Sequence, residues 1–185
     1  MRRIINLLTA VLLLVFISCN NKPVDEATGT TDATAQPEGG QAAVQDDVSM
    51  KDVVKIAVGS KDHTTLVAAL KQAELVDVLA NPGPFTVFAP TNAAFDKLPA
   101  GTVDGLMKDD KKADLQNILQ YHVTTSSLKA DFFKDGMTIG MVNGGSVTVS
   151  IKDGKVMLNN SATIVASVQA SNGMVHVIDG VLLPK

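Results

Sequence analysis

The chain has 185 residues, a formal net charge of −3, no Trp, a single Tyr and a single Cys. Both Arg residues lie at positions 2 and 3, and residues 50–185 hold 13 Lys and 13 acidic residues. Because phosphate binding needs clustered positive charge, this balance argues against nucleic acid as a partner. A single Cys excludes an internal disulfide.

The N-terminus has the pattern of a secretory signal. Two Arg precede an apolar run of about 14 residues, Ile4–Ile17, which is shorter than the roughly 20 residues that a membrane span needs. The run leads into Phe16-Ile17-Ser18-Cys19, which resembles the bacterial lipobox, where the chain is cut before a Cys that carries acyl chains. We predict a signal peptide over residues 1–18 and membrane attachment through acyl chains on Cys19. The alternative is an ordinary signal peptide followed by an incidental Cys.

The segment after Cys19 has the composition of a linker. Residues 20–49 are rich in Ala, Thr, Gly, Gln, Pro and acids, and Val24, Val44 and Val48 are their large apolar side chains. Such a segment does not bury enough surface to offset its ordering entropy. We predict a disordered tether over residues 19–49 that spans roughly 30 Å on average. Asn20 directly after the Cys resembles lipoproteins sent to the outer membrane of a two-membrane bacterium.

The first half of the remaining domain, residues 50–185, is predicted to be mostly helical. Ser49 and Asp52 have the spacing of a capping box, and Thr64 or Thr65 is placed to cap a second helix. Asp110 to Tyr121 is the third helix, whose apolar face is Leu115, Ile118 and Leu119. Between the second and third helices, residues 81–84 (NPGP) form a turn and residues 85–88 (FTVF) a buried strand.

The second half is predicted to be strands. Asp153-Gly154 is a hairpin turn, and Val147, Val149 and Ile151 alternate onto one face of the strand before it. Helices followed by strands indicate an α+β domain with helices packed on an antiparallel core. The predicted strands are 137–142, 146–151, 155–158, 164–168, 174–178 and 181–183.

Three segments, in order, resemble signatures of the fasciclin domain family. Residues 83–95 (GPFTVFAPTNAAF) resemble the first signature, Tyr121-His122-Val123 the central Tyr-His motif, and residues 172–179 with 181–184 the closing signature. The resemblance covers residues 50–185. It implies a wedge-shaped β sandwich with several helices packed around it. It also implies an adhesion or interaction role at cell surfaces, without a catalytic site.

The motif residues are interpreted first as architecture. Phe85 and Phe88 are core anchors, and Thr91 or Asn92 is placed to cap a short helix that ends near Leu98. His122 lies on the apolar face of the third helix, so we predict that it is buried, neutral and hydrogen-bonded. Tyr121 is expected to pack its ring and to find a partner for its hydroxyl. The remaining motif residues assigned a structural role are Pro90, His176 and Asp179.

The sequence predicts no metal site, no cofactor and no catalytic residue. His63, His122 and His176 lie on three separate elements without a close-spaced His or Cys partner, and no Gly-x-Ser-x-Gly elbow occurs. A pairing of Asp179 with His122 or His176 stays open at this stage.

Turns that flank the motifs are the candidate partner contacts, because turns carry interaction residues on rigid scaffolds. The candidates are Pro82, Gly83, Tyr121, Ser171 and Asn172. Some animal members of the family bind integrins through an Asp-Ile pair before the closing signature. Ser167 stands where that acidic residue would be, and no Arg-Gly-Asp occurs, which argues against integrin-type binding.

The leading hypothesis is a non-catalytic adhesion or interaction module, exported and lipid-anchored to the cell envelope, at the outer membrane. Its partner would be a protein or glycan at the cell surface, and the domain would face the periplasm or the exterior. The alternative is an envelope lipoprotein that binds a small ligand or glycan, for which an apolar pocket with converging polar groups is the expected sign. An enzyme is the third hypothesis, which would need a titratable pair with perturbed pKa values in a cleft.

Overall fold

The computed structural model describes residues 50–184. The predicted signal peptide, the Cys19 lipidation site, the tether and Ser49 lie outside the described residues. Within residues 50–184, the helices are α1 (Val53–Val58), α2 (Thr64–Gln72), α3 (Val76–Ala80), α4 (Asn92–Phe95), α5 (Thr102–Leu106) and α6 (Lys112–Gln120). The strands are β1 (Phe85–Pro90), β2 (Val123–Thr124), β3 (Thr138–Gly140), β4 (Ser146–Lys152), β5 (Lys155–Leu158), β6 (Ala162–Ala170) and β7 (Gly173–Ile178).

Two predicted helix caps are wrong. Asp52 is itself the N-cap of α1, because its carboxylate accepts the backbone N–H of Lys55 at 2.7 Å, so it does not serve as the third residue of a box begun by Ser49. Neither Thr64 nor Thr65 caps α2. The side-chain oxygen of Asn92 accepts the backbone N–H of Thr65 at 3.0 Å, so the cap comes from 27 residues away.

The third predicted helix, the first strand and the hairpin are confirmed. In α6, Leu115 and Leu119 are buried. The two hairpin residues, Asp153 and Gly154, have φ values of 50° and 74°, as a two-residue turn of this kind requires. Helices α3 and α5 were not predicted, since five residues are too short to show a helical period.

The strands form one sheet in the order β2-β1-β7-β6-β5-β4-β3. Strand β1 pairs in parallel with β7, over Phe85↔Gly173 to Pro90↔Ile178, so the prediction of an antiparallel core is wrong at the centre of the sheet. The prediction of a strand over 181–183 is also wrong: this segment pairs with no strand in the described part of the chain, and its residue Leu182 is fully buried. Ile151, predicted on the same face of β4 as Val147 and Val149, is 39% exposed, whereas those two residues are fully buried.

The sheet curls until its two edges nearly meet. The backbone N–H of Val142, just after β3, donates to the carbonyl of Val123 in β2 at 2.9 Å. Strands β5 and β6 share only two residue pairs, so the sheet splays apart between them. With helices around this nearly closed sheet, the predicted α+β, wedge-shaped fold is confirmed.

Two apolar clusters hold the layers together. One lies between the helices and the β1–β7 pair, and it includes Val53, Leu66, Leu115 and Val175. The other fills the inside of the curled sheet around Phe88, with residues from β3, β4, β5 and β7. No helix within residues 50–184 has the length and hydropathy that crossing a bilayer requires.

Candidate functional site

His122 joins α6 to the C-terminal segment. It is 3% exposed; its Nδ1 lies 2.8 Å from the carbonyl of Ile118, and its Nε2 accepts the backbone N–H of Leu182 at 3.0 Å. Facing a carbonyl on one side and an N–H on the other, the ring carries its proton on Nδ1. Burial lowers the pKa of His122 from 6.5 to about 4, against the smaller opposing effect of the Ile118 carbonyl. The prediction of a buried, hydrogen-bonded His122 is confirmed, and the lowered pKa agrees with the predicted neutral ring.

Tyr121 is fixed at the opposite side of the same turn. Its hydroxyl donates to the carbonyl of Ser146 at 2.6 Å and accepts from the amide of Asn159 at 3.0 Å. The expected packing of its ring is confirmed. Because the side chain is 3% exposed, its placement as an exposed partner contact is wrong.

Asn172 is a junction between three parts of the chain. Its Oδ1 accepts the backbone N–H of Val53 at 3.0 Å, and its Nδ2 donates to the carbonyls of Leu79 at 2.8 Å and Asn81 at 3.0 Å. A side chain bonded in this way and 9% exposed is not a surface contact, so that prediction is wrong too. All three bonds join Asn172 to segments that are distant in the chain. The residues around Asn172 therefore carry no pattern that predicts its structural role.

The other predicted contacts are differently placed. Pro82 and Ser171 are exposed and Gly83 is half-buried, so their contact role stays a prediction. In the first signature, Phe88 and Pro90 are fully buried and Phe85 is partly buried. The hydroxyl of Thr91 accepts the N–H of Ala94 at 3.3 Å and caps α4, whereas Asn92 caps α2.

His176 pairs with a serine that sequence reasoning did not single out as a partner. Ser167 Oγ lies 2.7 Å from His176 Nδ1, and His176 Nε2 lies 2.7 Å from the carbonyl of Leu128. Because Nε2 faces a carbonyl oxygen, it carries the ring proton, and Nδ1 accepts the hydroxyl of Ser167. Burial lowers the pKa of His176, and the Leu128 carbonyl opposes this. Asp179 accepts the N–H of Thr163 at 2.6 Å, so it is engaged with the backbone instead of a histidine.

His63 lies before α2. Its Nδ1 is 2.8 Å from Ser60 Oγ, while its buried Nε2 has no hydrogen-bond partner among residues 50–184. Burial lowers the pKa of His63; the charge of Asp62 and, less strongly, the nearby carbonyl of Ala89 oppose it. Among residues 50–184, no three His, Cys, Asp or Glu side chains lie close enough together to hold a metal ion.

A polar cleft of about 540 Å³ lies beside Tyr121. Its lining is uncharged: Asn117, Tyr121, Asn143, Gly144, Gly145, Ser146, Thr148, Asn159 and Pro184. The amides are held in place, because Asn143 donates to Asn117 Oδ1 at 2.9 Å and Asn159 accepts the N–H of Thr148 at 2.9 Å. The cleft therefore presents neutral groups in fixed directions.

An apolar crevice lies between α5, α6 and the C-terminal segment. Its walls include Phe95, Leu106, Leu119, His122 and Val181, and its volume is about 30 Å³. Pockets that bury a drug-sized ligand are about ten or more times larger, at roughly 300–1,000 Å³. The apolar pocket expected for a small-ligand carrier is therefore not formed by this crevice.

Comparison with known proteins agrees with this fold. Residues 61–184 match the Fasciclin domain model. The chain is similar to Protein sll1483 of Synechocystis sp., with 47% identity over 136 residues that cover 74% of this chain and 75% of that protein. It is similar to Cell surface glycolipoprotein MPB83 of Mycobacterium bovis, with 42% identity over 126 residues, 65% of this chain and 55% of that protein.

A solved structure shares the fold. The FAS1 domain pair from the insect cell adhesion molecule Fasciclin I matches with a TM-score of 0.64 and 18% identity, over 72% of this chain and 51% of that one. At this identity, the match concerns the fold alone. The Fasciclin model covers well over half of the chain, and the resemblance read from the three signatures is confirmed: the chain belongs to the fasciclin domain family.

Proposed function

We propose that the protein is a non-catalytic adhesion or interaction module at the cell envelope. The observation that carries this proposal is that buried residues of the family's motifs make hydrogen bonds within the domain and have a structural role. His122, His176 and Asn172 are buried and bonded to other parts of the chain, so they hold the domain in shape. What the framework offers to the outside is a rigid, electrically balanced surface with exposed turns, which suits a contact that depends little on bulk electrostatics.

The proposed location is the cell envelope, at the outer membrane, with acyl chains on Cys19 as the anchor. The signal-like N-terminus, the lipobox-like residues and the single Cys support the anchor. A similar protein is named a cell surface glycolipoprotein, and a protein of the same fold is described as a cell adhesion molecule. A tether with a reach of roughly 30 Å lets the anchored domain meet a neighbouring surface.

Deletion and shortening of the tether test the proposal together. Deleting the gene should weaken attachment of cells to surfaces or to one another, and removing residues 25–44 should do the same while the domain stays folded. A variant with residues 25–44 replaced by a Gly/Ser stretch of equal length is the matched control, and it should restore attachment. If attachment, aggregation and biofilm formation are unchanged by the deletion, the adhesion function is wrong.

The polar cleft favours one second candidate, binding of a neutral glycan. Fixed amides of Asn117, Asn143 and Asn159 suit hydroxyl groups, and the absence of charge from the lining disfavours an ionic ligand. Retention of the domain on immobilised dextran, galactan and chitin tests it. Asn117→Ala with Asn143→Ala should abolish retention, and Lys55→Ala, remote from the cleft, should not. If none of the three polysaccharides retains the domain, this candidate is dropped.

A further inference from the structure

Strand β6 has a free edge along most of its length. It pairs with β5 only through Met157↔Thr163 and Leu158↔Ala162, and beyond Ile164 it pairs with β7 alone. All five residues from 165 to 169 are exposed, and Val165 and Val168 are 58% and 40% exposed. The outward backbone groups of this stretch have no partner strand within residues 50–184.

This edge lacks the protection that soluble proteins place on exposed strands. Such edges normally carry Lys, Pro or inward-pointing charges that prevent pairing with another chain. Strand β6 (ATIVASVQA) has no charged residue and no Pro, and its one protective feature is the irregularity between Ile164 and Ala166. The hairpin next to it is different, because Lys152 and Lys155 stand at the end of β4 and the start of β5.

We propose that this edge pairs in antiparallel fashion with the same edge of a second copy of the protein. The charge pattern selects a second copy as the occupant: an uncharged strand meets its own copy without like charges facing each other, which a charged edge does not. Isologous contact across a two-fold axis also closes after two copies. The inference rests on the proposed function and deepens it, because it makes the interaction partly self-association.

The size of the contact sets where it should be observed. A pair of five-residue strands buries much less than the roughly 1,200 Å² of a stable dimer. The contact is therefore weak in dilute solution and populated where anchored copies are crowded on a membrane. Cross-linking of the full chain in the envelope fraction of expressing cells is the appropriate measurement.

Antiparallel pairing about a two-fold axis makes a sharp geometric prediction. The axis passes between one residue and the same residue of the second copy. Their Cα atoms are about 4.5–5.5 Å apart, within the range of a disulfide. The neighbours of this residue lie farther from their own copies. Cys placed in turn at Ala166, Ser167, Val168 and Gln169 should therefore give oxidative dimers that peak at a single position.

Two pairs of control proteins distinguish specific strand pairing from cross-linking by random encounter. Asp104→Cys, exposed on α5, and the unsubstituted chain with its native Cys19 give the background. Val165→Lys adds a charge to the edge and should lower dimer yield at the peak position by about threefold or more. Val58→Lys is the matched control, because Val58 on α1 is 57% exposed and Val165 is 58% exposed.

A single peak that falls with Val165→Lys and not with Val58→Lys supports the contact. Equal yields at all positions, or none above background, overturn it. Failure of this inference and of the proposed function are distinguishable. If the gene is needed for attachment and no position cross-links, the adhesion function stands and the self-contact is wrong. If the peak is present and deletion leaves attachment unchanged, the self-contact stands and the adhesion function is wrong.

Discussion

Replacing His122 with Ala tests whether the Tyr-His motif is architecture. The substitution removes a fully buried ring and leaves the N–H of Leu182 without a partner, whereas the carbonyl of Ile118 still accepts the backbone N–H of Tyr121 at 3.1 Å. A cavity together with an unpaired, buried backbone N–H should lower the free energy of unfolding by about 2–4 kcal/mol at pH 7.5.

The effect should depend on pH in a defined direction. The pKa of His122 is about 4 in the folded protein and 6.5 when unfolded, so between these values the unfolded chain binds more protons. Stability from the neutral ring is therefore complete above pH 6.5 and is lost as the pH falls toward 4. This group alone should cost the wild-type protein about 2 kcal/mol between pH 7.5 and pH 5. Since the variant lacks the group, the difference between the two proteins should shrink by that amount.

Urea denaturation of residues 50–185 at the two pH values measures this directly. Leu119→Ala is the matched control, because Leu119 is buried on the same helix and carries no titratable group, so its cost should not change with pH. An equal cost of His122→Ala at both pH values would refute the neutral, buried ring. Unchanged stability with loss of partner binding would make His122 a contact residue.

Three further predictions concern other parts of the chain. Asn172→Ala should lower the free energy of unfolding by about 2–4 kcal/mol in urea denaturation, since it removes the partner of the buried N–H of Val53, of the buried carbonyl of Leu79 and of the partly buried carbonyl of Asn81. Gly173→Ala should be more disruptive still, because a Cβ at this position collides with the backbone of Phe85, and thermal unfolding should lose its cooperativity. Gly105→Ala is the control and should be tolerated, because the space around Gly105 is open. Cys19→Ser should move the protein from the detergent phase to the aqueous phase, and mass spectrometry of the wild-type protein should find acyl chains on an N-terminal Cys19. An unmodified N-terminus on a wild-type protein in the aqueous phase would contradict the lipid anchor.

Local patterns in the sequence were sufficient for several elements. The spacing of Leu115 and Leu119 identified α6, and Asp153-Gly154 identified the hairpin, because helical period and turn chemistry are properties of adjacent residues. The three family signatures identified the fold class for a related reason: each is a short segment with its own pattern. The burial of His122 also followed from its position on an apolar helix face.

Other features were decided only by the tertiary structure. The parallel pairing of β1 with β7, the capping of α2 by Asn92 and the burial of Tyr121 depend on which distant segments meet. Asn172 illustrates the reason: as a polar residue in an Asn-Gly pair it has the pattern of an exposed turn, yet it bonds to Val53, 119 residues away. A buried polar group forms hydrogen bonds with the backbone groups that the fold brings close to it. The residues next to it in the chain do not predict which groups these are.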